Sequence, residues 1–172
     1  MQLKQFVPQE FCLRCDVCCR FSQPDTVWAP LFTESEVRHL IEDHMLPPTV
    51  FTDHPKGNNS SAQRINLLDN KDNFICPCFN LPDQKCKIYN HRPFECQLYP
   101  FLLNKKDNKF YLTKDNGCPY FKSGPEDIIK NQIDYLKQEF QKEDMCLFLK
   151  QNQELFVEYP SLDLEILFPI NF

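Results

Sequence analysis

Four cysteines, Cys12, Cys15, Cys18 and Cys19, fall within eight residues at the head of a 172-residue chain. A second group, Cys76, Cys78, Cys86 and Cys96, follows far downstream, with Cys118 behind it and Cys146 near the end. Thiols this dense must be paired, oxidised or bound. The adjacent pair Cys18-Cys19 is awkward for a disulfide framework, and no export signal precedes it. In a reducing compartment the ten cysteines become a metal-ligand set, because thiolate is a preferred ligand of zinc and of iron–sulfur clusters. The expectation is a fold that closes when the cysteine groups meet around metal.

The spacing supports this. Cys12-x2-Cys15-x2-Cys18 offers two bites in which thiolates one turn apart chelate one centre, and Cys19 adds a fourth sulfur. Cys78-x7-Cys86-x9-Cys96 supplies further ligands from a compact loop. At about 100° per residue on a helix, Cys12, Cys15 and Cys19 share a narrow face while Cys18 sits to the side. The run is either a helical turn aiming three thiols at one centre or an irregular loop wrapping it. Cys76 reads equally as a ligand or a buried thiol. Cys146, beside Leu147 and Phe148 in a helical pattern, reads as a packed thiol.

Two catalytic patterns fail. A radical-SAM cluster loop needs Cys-x3-Cys-x2-Cys, and the position that would complete Cys15-x3-Cys19 is Ser22. A classical zinc finger needs two histidines on one helical face after its cysteine pair. His39 and His44 are five apart, point away from each other on a helix, and read as surface or helix-packing residues. His54 reads as a loop residue. His91, between Cys86 and Cys96, is the histidine placed to support the ligands.

Composition removes other classes. A formal net charge of -5 argues against an electrostatic nucleic-acid binder. Three glycines, Gly57, Gly117 and Gly124, cannot build a phosphate-cradling loop or a dinucleotide fingerprint. An apolar content of 42%, with sixteen Phe, is enough for a packed core. No apolar run approaches the roughly 18 residues of a membrane-spanning helix. The first ten residues carry no apolar stretch of a signal peptide, so the expected location is the cytoplasm.

The remaining pattern predicts an α+β chain. It is a small irregular single domain of short hairpins and helices around a cysteine-ligated metal site, with a long C-terminal amphipathic helix. Residues 11–121 form the metal-binding core and 122–172 the helical part. Trp28 anchors a connector over 21–32. Thr33 and Glu36 form a capping box for a helix through Val37, Leu40, Ile41 and His44 or Met45, stopped by Pro47-Pro48. Residues 52–63 are a polar loop. Ile65 to Leu68 and Phe74 to Cys76 read as a hairpin delivering Cys76 and Cys78, and Phe101 to Leu103 and Phe110 to Thr113 as a second one delivering Cys118. Ile128, Ile129, Ile133, Leu136 and Phe140 make the apolar stripe of a helix starting at Pro125. It continues, or restarts near Glu143, and Pro160 stops it. Residues 162–168 read as a last strand.

Two segments carry a resemblance. They are Cys12-x2-Cys15-x2-Cys18-Cys19-Arg20 and Cys78-x7-Cys86-Lys87-Ile88-Tyr89-Asn90-His91-Arg92-Pro93-Phe94-Glu95-Cys96-Gln97-Leu98-Tyr99-Pro100-Phe101, followed by Gly117-Cys118-Pro119. The chain resembles the YkgJ-type cysteine-cluster family, also called the CxxCxxCC or zinc- or iron-chelating domain, over residues 11–121. The resemblance implies Cys12, Cys15, Cys18, Cys19, Cys78, Cys86, Cys96 and Cys118 as metal ligands, without Cys76 or Cys146. Val17 departs from the family, where a glycine is often seen. A similar cysteine module in flagellin lysine methylases implies an iron–sulfur cluster there. With the Cys-Pro steps at Cys76 and Cys118, this favours iron–sulfur, such as a 4Fe-4S cluster, over zinc.

The neighbours have a physical logic. Arg92 and Arg20 are placed to offset thiolate charge, Pro93 fixes the chain between ligands, and Tyr89 and Tyr99 are placed to exclude water from the site. The expected function is metal binding in electron transfer or metal handling. The alternatives are an enzyme using the cluster for methyl-transfer or redox chemistry, and a zinc-stapled module that docks a protein partner through its C-terminal helix. No nucleic-acid or membrane partner is expected.

Overall fold

A computed structural model describes residues 2–12, 14–15, 17–53, 62–160 and 163–172. The chain divides into two compact units, residues 1–97 and 98–172, built from helices and small antiparallel sheets.

The first unit starts with α1 (Gln9–Cys12), a 3-10 turn (Val17–Cys19) and β1 (Arg20–Phe21). Next come β2 (Leu31–Phe32), α2 (Glu34–Glu42), β3 (Phe51–Asp53) and β4 (Gln63–Ile65). The hairpin β5 (Leu68–Asn70) and β6 (Asn73–Ile75) follows, then β7 (Phe79–Asn80), β8 (Lys85–Cys86) and α3 (Phe94–Leu98), which runs to the boundary between the units. The strands form sheets β1-β6-β5, β2-β4-β3 and β7-β8. Strands of two or three residues make few ladder bonds, so a shared core must hold them together. That core contains Phe21, Phe32, Val37, Leu40, Phe51, Ile65, Phe79 and Ile88, with Cys76 and Cys78 among them. Phe32 and Phe51 meet edge to face, centroids 5.2 Å apart. Trp28 is half-buried against the same cluster.

The capping box forms as predicted. Thr33 Oγ1 accepts from the Glu36 N–H at 3.4 Å, and Glu36 Oε2 accepts from the Thr33 N–H at 2.8 Å. The helix stops at Glu42, before the prolines. His44 turns left-handed, with φ 55°, and the N–H groups of Met45 and Leu46 both close on Leu40 O, at 2.9 and 3.2 Å. Most of the polar stretch 52–63, namely 54–61 with His54 and Gly57, lies outside the described residues.

The second unit is built on β9 (Phe101–Lys106), β10 (Lys109–Asp115) and β11 (Leu164–Ile170), in the order β11-β10-β9. Asp107 and Asn108, with φ 51° and 57°, make the tight turn between β9 and β10. Positive φ at both central residues matches the strand twist. The last strand forms, although Leu162 of the predicted stretch lies outside the described residues. Phe101, Leu103, Leu112, Leu136, Met145, Leu149 and Phe156 are fully buried here.

The helical part is three helices: α4 (Pro119–Ser123), α5 (Glu126–Glu139) and α6 (Glu143–Gln151). The long C-terminal helix is therefore broken. Gln141 and Lys142 close short 3-10 bonds on Gln138 and Glu139, at 3.2 and 3.1 Å, and Lys142 is extended before α6. Pro125 caps α5 from outside. The predicted stripe forms through Leu136 and Phe140, which are buried, and Ile129 and Ile133, which are half-buried; Ile128 is instead 42% exposed, and Gln132 is buried on that face. No helix among the described residues is long and apolar enough to cross a membrane.

Candidate metal centre

Main-chain bonding brings the two cysteine groups of the first unit together. β1 leaves directly from Cys19 and pairs with β6 through Arg20↔Ile75, and β6 runs straight into Cys76. The Cys76 N–H donates to Cys19 O at 3.0 Å, which adds one more rung to that ladder. Cys76 O then accepts from the Phe79 N–H at 2.8 Å, closing a turn around Cys78. Cys78 O accepts from the Lys87 N–H at 2.8 Å, and Phe79 pairs with Cys86 between β7 and β8. Backbone register alone therefore fixes Cys19, Cys76, Cys78 and Cys86 relative to one another.

Cys96 is positioned by carboxylates and an arginine. Glu36 Oε1 accepts from the Phe94 N–H at 2.7 Å, and Glu95 Oε2 accepts from the Leu31 N–H at 2.8 Å. These two straps tie the start of α3 to the segment leading into α2. Arg92 holds the loop before them. Its Nε donates to Tyr89 O at 2.8 Å, its Nη2 donates to Gln5 Oε1, and its guanidinium lies 3.9 Å from the Tyr89 ring centroid. Arg20 lies over the Phe79 ring at 5.3 Å.

None of the ten cysteines is in a disulfide. Several of those in the first unit act on each other electrostatically. The Cys18 thiol is pushed up by its hydrogen bond with Cys19, by burial, and by the charges of Cys19 and Cys76. Cys78 is pushed up by its hydrogen bond with Cys76, by burial, and by Cys76, Cys86 and Cys96. Cys96 is raised by burial, then by Cys76, Cys18 and Cys86. Cys86 is pushed up to about 11 by burial, while Arg92 opposes the rise. Cys76 moves the other way. The Cys78 side chain, the N–H groups of Cys78 and Phe79, and Lys87 all favour its thiolate. Cys18, Cys19, Cys76, Cys78, Cys86 and Cys96 are thus one interacting group.

Among the described residues, no three or more His, Cys, Asp or Glu side chains stand ready to hold a metal ion as arranged. The donor chemistry nevertheless fits one. Buried thiols that keep one another protonated are the groups that a cation converts to bound thiolates.

The other predicted residues take these places. Cys12 ends α1, its N–H on Pro8 O at 3.0 Å, and its charge acts on the Tyr89 phenol. Cys15 follows in a turn closed by its N–H on Cys12 O at 3.2 Å. The run is therefore not one helix: α1 stops at Cys12, and Cys18 and Cys19 sit on the 3-10 turn. Cys118 is buried in the second unit. Its N–H closes on Asp115 O at 3.2 Å, and its carbonyl accepts from Phe121 at 3.1 Å. In that unit the Tyr99 hydroxyl donates to Asp115 Oδ2 at 2.9 Å. The Tyr89 hydroxyl is buried without a hydrogen bond of proper geometry. His91 pairs with His39, their ring nitrogens 3.2 Å apart.

The residue that sequence reasoning left open is Cys76. The signal was the tripeptide Cys76-Pro77-Cys78 directly after a strand. Its weight depended on Cys76 pairing with the residue that ends the first cysteine run, which spacing alone does not reveal.

Residues 11–119 match the CxxCxxCC family, described as a putative zinc- or iron-chelating domain, and the chain belongs to that family. No curated protein and no solved structure matches the chain.

Proposed function

We propose that the clustered cysteines hold an iron–sulfur cluster, with zinc as the competing occupant, and that the protein serves electron transfer or metal handling. The ligand set is Cys12, Cys15, Cys18, Cys19, Cys78, Cys86, Cys96 and Cys118, with Cys76 added. The observation that carries this reading is the number of interacting thiols in the first unit, six, of which Cys76 and Cys78 are buried and the other four half-buried. One tetrahedral zinc takes four ligands. Six or more thiols therefore call for a polynuclear cluster or for two centres. When bound, an iron–sulfur cluster would supply one-electron chemistry tuned by burial and by hydrogen bonds to sulfur. The chain's own part is to desolvate the thiols, to favour the Cys76 thiolate from Lys87 and backbone N–H groups, and to lower the proton affinity of Cys86 through Arg92.

The test is anaerobic purification followed by a visible spectrum and analysis for iron, zinc and sulfide. A broad band bleached by dithionite, with iron and sulfide in equal amounts, supports the iron–sulfur reading. A colourless protein with about two zinc ions per chain replaces it with a zinc module. A folded, soluble, metal-free protein would overturn metal binding as the fold's organising interaction.

A further inference from the structure

His39 and His91 come from distant parts of the chain, yet their rings meet. Nε2 of His39 and Nδ1 of His91 are 3.2 Å apart, with ring centroids at 5.3 Å and planes inclined by 41°. His39 lies in the last turn of α2, and Asp43 caps that helix. Asp43 Oδ2 stands 3.2 Å from the other nitrogen of His39, Nδ1. An imidazole that donates its Nδ1 proton to a carboxylate keeps a lone pair on Nε2 and is held in one orientation. Asp43 beside Nδ1 favours the tautomer of His39 protonated there, in which the Nε2 lone pair faces His91 Nδ1 as acceptor.

A carboxylate behind a histidine whose free nitrogen faces a second histidine is the arrangement that supports divalent metals. Two imidazole nitrogens bound to one tetrahedral zinc-sized ion lie about 3.3 Å apart, close to the separation seen here. The side chains of His39 and Asp43 are 52% and 49% exposed, so an ion can arrive from water and keep water ligands. Neither histidine belongs to the thiol group, and nothing in this pairing depends on how the cysteines are occupied.

We propose that His39 and His91, oriented by Asp43, form an exchangeable surface site for a divalent ion of the zinc, nickel or copper type, for which imidazole is a suitable ligand. The ion takes the place of the proton shared between the rings, and His91 in the bound form carries its proton on Nε2 instead of Nδ1. Two protein ligands are fewer than a closed site supplies, and the site is correspondingly weak.

The experiment is a Zn²⁺ titration of the as-isolated protein, followed by calorimetry and by ¹H–¹⁵N spectra of the imidazole nitrogens. Wild type should bind one more ion per chain than either His39→Gln or His91→Gln, with ¹⁵N shifts at His39 Nε2 and His91 Nδ1. Asp43→Asn should weaken that ion about 10- to 100-fold, and His44→Gln should leave it unchanged. An equal number of ions in wild type and both histidine variants would overturn the proposal, as would unshifted His39 and His91 resonances. All these side chains lie outside the buried core, and circular dichroism checks that each variant keeps its fold.

Discussion

Glu36 Oε1 accepts the Phe94 N–H at 2.7 Å, while its second oxygen, Oε2, closes the capping box on Thr33 at 2.8 Å. One carboxylate thus starts α2 and anchors the segment that carries Cys96. Replacing it with alanine removes a cap and orphans the Phe94 donor. Glu36→Ala should destabilise the protein by about 2–4 kcal/mol, a cap plus an unsatisfied buried group. Chemical denaturation at fixed metal content checks this; a loss under about 0.5 kcal/mol, the range of ordinary surface changes, would show that the strap carries nothing.

Glu95 gives a pH dependence. Burial pushes its carboxyl up to about 8, against the neighbouring Arg64 charge, and one of its oxygens has no hydrogen-bond partner. The folded state therefore keeps a proton that the unfolded chain releases near pH 4.5. Glu95's contribution is full below that value and is lost as pH rises through about 8, at no more than about 1.4 kcal/mol per pH unit. Glu95→Gln should remove this slope and be more stable than wild type at pH 8. The difference between the two stability–pH curves isolates the effect, and parallel curves would refute it.

Cys76 and Cys146 test the proposed ligand set from two sides. Cys76 joins the thiol group through Cys19 and Cys78, whereas Cys146 donates its thiol to Phe140 O at 3.4 Å at the end of α5. Cys76→Ser should lose most of the bound metal on gel filtration with a chelator, and Cys146→Ser should keep it. Elemental analysis of both variants decides; full metal content in Cys76→Ser removes it from the ligand set.

Arg92 and Tyr89 share one contact but should behave differently. Arg92 lowers the proton affinity of Cys86, so Arg92→Met should raise it further and weaken metal binding about 10- to 100-fold, most at low pH where protons compete best. The Tyr89 hydroxyl is buried without a hydrogen bond, so Tyr89→Phe should change stability by less than about 1 kcal/mol, or raise it. Metal competition titrations across pH and thermal melts test the pair. An equal affinity loss in both variants would mean that packing, not charge, sets the effect.

Much of this was legible in the sequence because it rests on local rules. Thr33 and Glu36 three residues apart specify a helix start. Asp107-Asn108 between alternating apolar runs specifies a tight hairpin. The cysteine spacings specify the family pattern. The end of α2 was misjudged because the left-handed turn at His44 acts before the prolines. The break at 140–142 was only one of two options, since helical periodicity persists on both sides of it.

The sequence by itself determined the family, because cysteine type and spacing suffice to mark the pattern that residues 11–119 share with it. Only the tertiary structure decided which groups meet. A β1–β6 pairing of two rungs carries Cys76 to Cys19. Glu36 and Glu95 reach across about sixty residues to position α3, and His39 finds His91 fifty-two residues away. Such contacts depend on strand register and core packing summed over the whole unit, and no local pattern encodes that sum.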